Sequence, residues 1–166
     1  MIVWLTVFIF LCVSTVFLYH KVRQNQQTKE AYHSIPSFQL PDLQGNIISN
    51  KSLQTNKSTL FLFFDPECGN CEEEFLQIKK HQDFLLDCQM VFISTLPEDL
   101  ILNFLERIDF QPTANMFVLC DKEAKLLKTM NVKGVPSTLI YDKNGKLIKN
   151  YAGQVKVETL IKYLSD

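Results

Sequence analysis

The chain has 166 residues, 46% of them hydrophobic and 21% charged, with 17 Lys and Arg against 18 Asp and Glu for a formal net charge of −1. That length leaves no room for a second full-sized domain, and the apolar fraction excludes a disordered chain. The balanced charge removes the basic footprint with which nucleic-acid binders neutralise phosphates.

Residues Met1 to His20 carry no charged side chain, and only Thr6, Ser14 and Thr15 interrupt their apolar run. Spanning a bilayer takes roughly 17 to 25 such residues as a helix, so the segment predicts one membrane crossing. A cleaved signal peptide would need a shorter apolar stretch, basic residues before it and a small-x-small cleavage site, all missing here. Cys12 follows Leu11 rather than the small residue that lipid modification requires, and reads as a buried thiol. Residues 21–34 are polar and read as a tether. Lys21 and Arg23 follow the apolar run, and the positive-inside bias alone would leave the rest of the chain in the cytoplasm.

The folded part begins near Ile35. Residues Ile35 to Leu40 alternate apolar with polar, and the turn chemistry of Asp42 to Asn46 precedes Ile47 and Ile48, as in a short hairpin. Leu60 to Phe64 is a continuous apolar run too short for a helix, which predicts a central strand buried on both faces. A helix is predicted over about 68–84, then a strand over Met90 to Ser94. Pro97 at a first helical position, with Leu100, Phe104, Leu105 and Ile108 on one face, predicts a second helix. A short strand over Met116 to Leu119 and a short helix over Lys122 to Met130 follow. A hairpin turns at Asp142 to Gly145 between strands 137–141 and 146–151, and a helix over Val155 to Leu164 closes the chain. This order predicts an α/β domain over residues 35–166, with a mixed sheet flanked by helices.

The chemistry concentrates at Cys68-Gly69-Asn70-Cys71, after the buried strand and at the start of a helix. Two cysteines three apart on a first helical turn can close a small disulfide ring. The first faces the free amides and positive end of the helix, where a thiol pKa falls from about 8.5 to roughly 3.5–7.5. Cys68 is then the attacking sulfur and Cys71 the buried resolving one, in exchange through a mixed disulfide. Glu74 either takes up the proton of Cys71 or belongs to a solvated first turn with Glu72 and Glu73. Glu67, next to Cys68, opposes thiolate formation.

Other readings of the pair are a half zinc site completed by His81 and Cys88, or a structural disulfide. The first lacks a second close ligand pair, and the second closes too short a loop to stabilise much. Cys88 and Cys120 border predicted strands and read as core residues, or as a disulfide with each other. The second chemical feature is Gly134-Val135-Pro136-Ser137-Thr138, where a proline opens an apolar strand. By sequence alone Pro136 is trans by default.

These residues together resemble the TlpA-like thiol-disulfide oxidoreductases, thioredoxin-fold proteins grouped with the redoxins. The resemblance covers nearly all of Ile35 to Leu164. It rests on Pro36-Ser37-Phe38-x-Leu40, Gly45, Cys68 to Cys71, Glu74, Gly134 to Thr138, and Tyr141 to Lys146. It implies a thioredoxin-like fold, a redox-active Cys68–Cys71 disulfide, a cis Pro136 lying against the cysteines, Val135 pairing with a substrate chain, and Glu74 near the active site. It also implies protein thiols and disulfides as partners, an upstream membrane electron donor, a monomer without metal or cofactor, and a domain held by its N-terminal helix on the extracytoplasmic side. The chain departs from the family in having Asp65-Pro66-Glu67 where a tryptophan often precedes the first cysteine. A peroxide reductase of the same fold would carry threonine at the place of Asp65, and a metal-binding module would want a histidine over the cysteines, which His20, His33 and His81 are not placed to supply.

Overall fold

The computed structural model describes residues 12–23 and 32–164. Its first helix, α1, covers residues 12–23. The expected single-pass anchor is overturned here, and with it the membrane-anchored localisation built on it: among the described residues, no helix is long and apolar enough to cross a membrane. Cys12 is exposed rather than buried. The rest of the expected anchor and most of the tether, residues 1–11 and 24–31, lie outside the described residues.

Strands β1 (Gln39–Pro41) and β2 (Ile47–Ser49) form the expected small hairpin. Its turn is organised by Asp42, whose Oδ1 accepts from the backbone of Gln44 and Asn46, while Gly45 takes φ +85°. The main sheet contains β3 (Thr59–Phe63), β4 (Gln89–Ser94), β5 (Met116–Cys120), β6 (Ser137–Tyr141) and β7 (Leu147–Ala152) in the order β5-β4-β3-β6-β7. β3, β4 and β5 are parallel, and β6 and β7 are antiparallel additions on the other side of β3.

The helices are α2 (Gly69–Lys80), α3 (Glu98–Arg107), α4 (Lys125–Thr129) and α5 (Val157–Leu164). The chain steps outward from β3 to β5 and then returns past β3 to β6. Right-handed crossovers between the parallel strands put α2 and α3 on one face of the sheet, and α4, in the connection to the antiparallel β6, packs on the other. The residues of β3 divide accordingly. Leu60 and Leu62 pack with Phe75, Ile101, Phe104 and Leu160, whereas Phe61 and Phe63 pack with Phe38, Leu126, Met130 and Tyr141. All five residues of the strand are buried.

Two helices are shorter than the sequence suggests. α2 ends at Lys80, because His81 leaves helical geometry and a 3-10 turn over Gln82–Leu85 replaces the last turn. α4 starts only after Ala124, which adopts φ +53°, and the buried Asp121 carboxylate accepts from Lys125 N–H at 2.9 Å and Leu127 N–H at 3.0 Å. Side-chain capping thus sets the helix start three residues later than the apolar pattern does.

The α2–α3 face is dominated by aromatic rings. Phe75 is fully buried with its ring centroid 4.8 Å from Phe64, 4.8 Å from Phe92, 5.1 Å from Phe104 and 5.0 Å from Phe110. Phe75→Ala is expected to destabilise the domain by about 3–5 kcal/mol, measured as a lower midpoint of urea unfolding at unchanged slope.

Candidate active site

The parallel strand β3 delivers the chain to its carboxyl end, where residues Asp65 to Glu67 turn into α2. Cys68 is the N-cap of that helix, with φ −88° and ψ 114°, and Cys71 is its third residue. Their environments differ sharply. Cys68 is partly exposed, whereas Cys71 is completely buried against the aromatic core. Both are free thiols. Burial and a side-chain hydrogen bond with Cys68 push the Cys71 thiol far above its ordinary pKa, and the Asp65 amide draws it back only in part.

Antiparallel pairing places the second sequence feature at the same spot. The register Phe63↔Ser137 sets the residues just before β6 opposite those just after β3. Pro136 is buried, its bond to Val135 is cis, and the Cys68 Sγ–H points at the Val135 carbonyl from 4.0 Å. Ser137 Oγ donates to Gly134 O at 2.6 Å and ties the loop to the strand. Beside it, a cleft of about 200 Å³ opens between Asp65, Thr95, Lys133 and Val135 over Phe63 and Ile93. The geometry thus brings Cys68, Cys71, Val135 and Pro136 together.

The three successive acids of α2 have three different surroundings. Glu72 pairs with Arg107 at 3.2 Å, and Glu73 accepts from Gln77 at 2.7 Å. Glu74 turns inward and is 1% exposed. Thr138 Oγ1 donates to its Oε1 at 3.1 Å, while Oε2 has no hydrogen-bond partner among the described residues. Burial raises the Glu74 pKa to about 7, with Thr138 and the Val155 amide pulling partly the other way. Its charge is one of the lesser influences that raise the Cys71 pKa. Glu74 therefore does not belong to a solvated turn. Thr138 was visible only as part of the proline motif, and its contact with Glu74 depends on the β3–β6 register.

The remaining cysteines do not join the site. Cys88 donates to Leu85 O at 3.1 Å, and burial raises its pKa to about 11. Cys120 donates to Leu96 O at 3.1 Å. Met90 pairs with Met116 and Ser94 with Cys120, so Cys88 lies six strand positions, or about 20 Å, from Cys120, and the two cannot bond. His81 is occupied by Gln77 O, and among the described residues no three His, Cys, Asp or Glu side chains gather as a metal site would require.

Comparison with known proteins identifies the family. The chain belongs to the thioredoxin-like domain family, whose model matches residues 46–166. It is 25% identical to a thiol-disulfide oxidoreductase ResA of Bacillus thuringiensis over 95% of this chain and 91% of that protein. Among solved structures, a thiol:disulfide interchange protein DsbE from Chlorobium tepidum aligns with a TM-score of 0.66 at 22% identity, covering 80% of this chain and 93% of that one. Peroxidoxin BcpB from Mycobacterium tuberculosis aligns with a TM-score of 0.68 at 17% identity, covering 80% and 94%. The two structures share the fold alone, so the chemistry has to be read from the side chains.

The buried Glu74 carries a pH signature. Its folded pKa of about 7 lies above the ordinary 4.5, so the native state holds a proton that the unfolded chain releases. Stability contributed by the neutral carboxyl is complete below pH 4.5 and declines as pH rises through 7, by about 3 kcal/mol for a shift of this size. Glu74→Gln should gain on the wild type by about that amount between pH 4 and pH 8, read from guanidinium unfolding at both.

Proposed function

We propose that this chain exchanges disulfides with protein partners through Cys68 and Cys71, the chemistry named for its ResA relatives. The observation that carries the reading is the pairing of a partly exposed thiol with a buried one beside the cis-proline loop. Cys68 is the sulfur a partner can reach. As thiolate it attacks a partner disulfide, forms a mixed disulfide and releases one partner thiolate.

Cys71 then attacks the Cys68 sulfur, releases the second partner thiolate and leaves a Cys68–Cys71 disulfide. Its proton has to leave first, since burial keeps this thiol neutral. Glu74 is the acceptor: its carboxylate form appears above about pH 7, in a pocket where water does not compete. Run backwards, the same steps deliver a disulfide and return the proton. Val135 and Pro136 form the wall along which the partner chain lies, with the Val135 carbonyl already directed at Cys68. A peroxide reductase reading draws no support from the side chains, because the residue three before Cys68 is the carboxylate Asp65, not a hydroxyl.

Reduction of insulin disulfides tests the proposal. Cys68→Ser should lose at least about 100-fold in rate, and Cys71→Ser should accumulate a mixed disulfide on Cys68 that mass spectrometry detects. Equal activity of wild type and Cys68→Ser would refute the assignment. In single turnovers the resolving step should quicken as pH rises through about 7, and Glu74→Gln should slow it by roughly 100-fold and remove that dependence.

A further inference from the structure

Residues 65–68 form a β-turn closed by Cys68 N–H donating to Asp65 O at 3.0 Å. Its central peptide, Pro66–Glu67, is gripped at both ends. The N–H donates to Asp65 Oδ1 at 2.8 Å, and the carbonyl accepts from Arg107 Nη2 at 3.0 Å. The same Nη2 stands 3.2 Å from Glu72 Oε2 on the first turn of α2. Arg107 also lies over Phe104, 5.5 Å from its centroid, and Phe104 packs 5.5 Å from Phe64, the residue before the turn. Lys79 secures the chain just beyond α3 to α2, donating to Ile108 O at 3.3 Å and pairing with Asp109 at 2.8 Å.

Stability does not account for this arrangement. The Arg107 and Glu72 side chains are 55% and 37% exposed, and such pairs contribute about 0–1 kcal/mol. What the contacts do fix is an orientation, since a flip of the Pro66–Glu67 peptide would break both of its hydrogen bonds. Both sulfurs depend on that turn: Cys68 is its last residue, and the Asp65 amide faces Cys71.

We propose that Asp65 and Arg107 are positioning residues, which clamp the Pro66–Glu67 peptide from opposite sides and thereby set the approach of Cys68 to Cys71. The proposal rests on the dithiol reading above and concerns the balance between dithiol and disulfide. Oxidised glutathione oxidises the protein dithiol to a disulfide and is itself reduced to two thiols, so the equilibrium constant reports how well the fold brings the two sulfurs together.

Asp65→Ala and Arg107→Ala should each move that constant about tenfold, the scale of one charge-assisted hydrogen bond, while unfolding in urea stays cooperative. The double variant should move it by less than the product of the two, because both residues hold one peptide. Asp65→Asn, which keeps the acceptor without the charge, and Arg107→Lys, which keeps a donor, should stay within about threefold of wild type. Arg107→Gln, too short to reach Pro66, is expected to match Arg107→Ala and replaces it if that variant folds poorly. Alanine variants with wild-type constants, a fully multiplicative double variant, or Asp65→Asn as impaired as Asp65→Ala would each overturn the clamp. A wild-type chain that never equilibrates with glutathione would sink the dithiol reading and the clamp together, whereas unchanged alanine variants in a chain that does equilibrate would sink the clamp alone.

Discussion

The site depends on the pairing of β6 against β3. Residues 64–68 and 134–136 are some seventy positions apart, and no local interaction could hold them together. The register Phe63↔Ser137 does so with backbone hydrogen bonds in the middle of the sheet, where all five residues of each strand are buried. A slip of one residue would turn Thr138 to the opposite face and away from Glu74, besides exchanging the two core layers. The apolar alternation that builds the core therefore also aligns Glu74, Thr138 and the proline loop with the two cysteines.

Burial then divides the work between groups of similar intrinsic chemistry. Two thiols three residues apart lie on opposite sides of the solvent boundary, because one caps the helix and the other points into it. Three adjacent carboxylates are sorted likewise: one meets a cation, one a glutamine amide, and one the interior. The inward carboxylate is costly when ionised, and its unpartnered Oε2 marks where the cost falls. A structural role alone would favour a neutral residue at this position.

Most of the fold was legible in the sequence. The continuous run at Leu60–Phe64 and the turn at Asp142–Gly145 lie where pattern and turn chemistry place them, whereas Pro97 is the N-cap of α3 rather than its first helical residue. The dithiol was legible from spacing and from its place after a buried strand. Less so were features set by tertiary contacts: the inward turn of Glu74, the late start of α4 above Asp121, and Thr138 as partner of Glu74. Arg107 was invisible, since a cation in the last turn of a helix is common and only the packing of α3 against the active-site turn gives it a carbonyl to hold. The apolar N-terminus was read from composition alone, and among the described residues no helix is long and apolar enough to cross a membrane.

The aromatic core and the active-site turn are one structure rather than a scaffold with a site attached. Phe64 closes the packing around Phe75 and is also the residue from which the turn departs. Phe104 packs on both rings and carries the guanidinium that reaches Pro66. A displacement of α3 would thus reach the peptide preceding Cys68 through one ring and one cation. Dense aromatic packing resists such displacement, because Phe75 alone stacks or edges against Phe64, Phe92, Phe104 and Phe110. Under the proposed clamp, the approach of the two sulfurs is set by residues with no redox chemistry of their own.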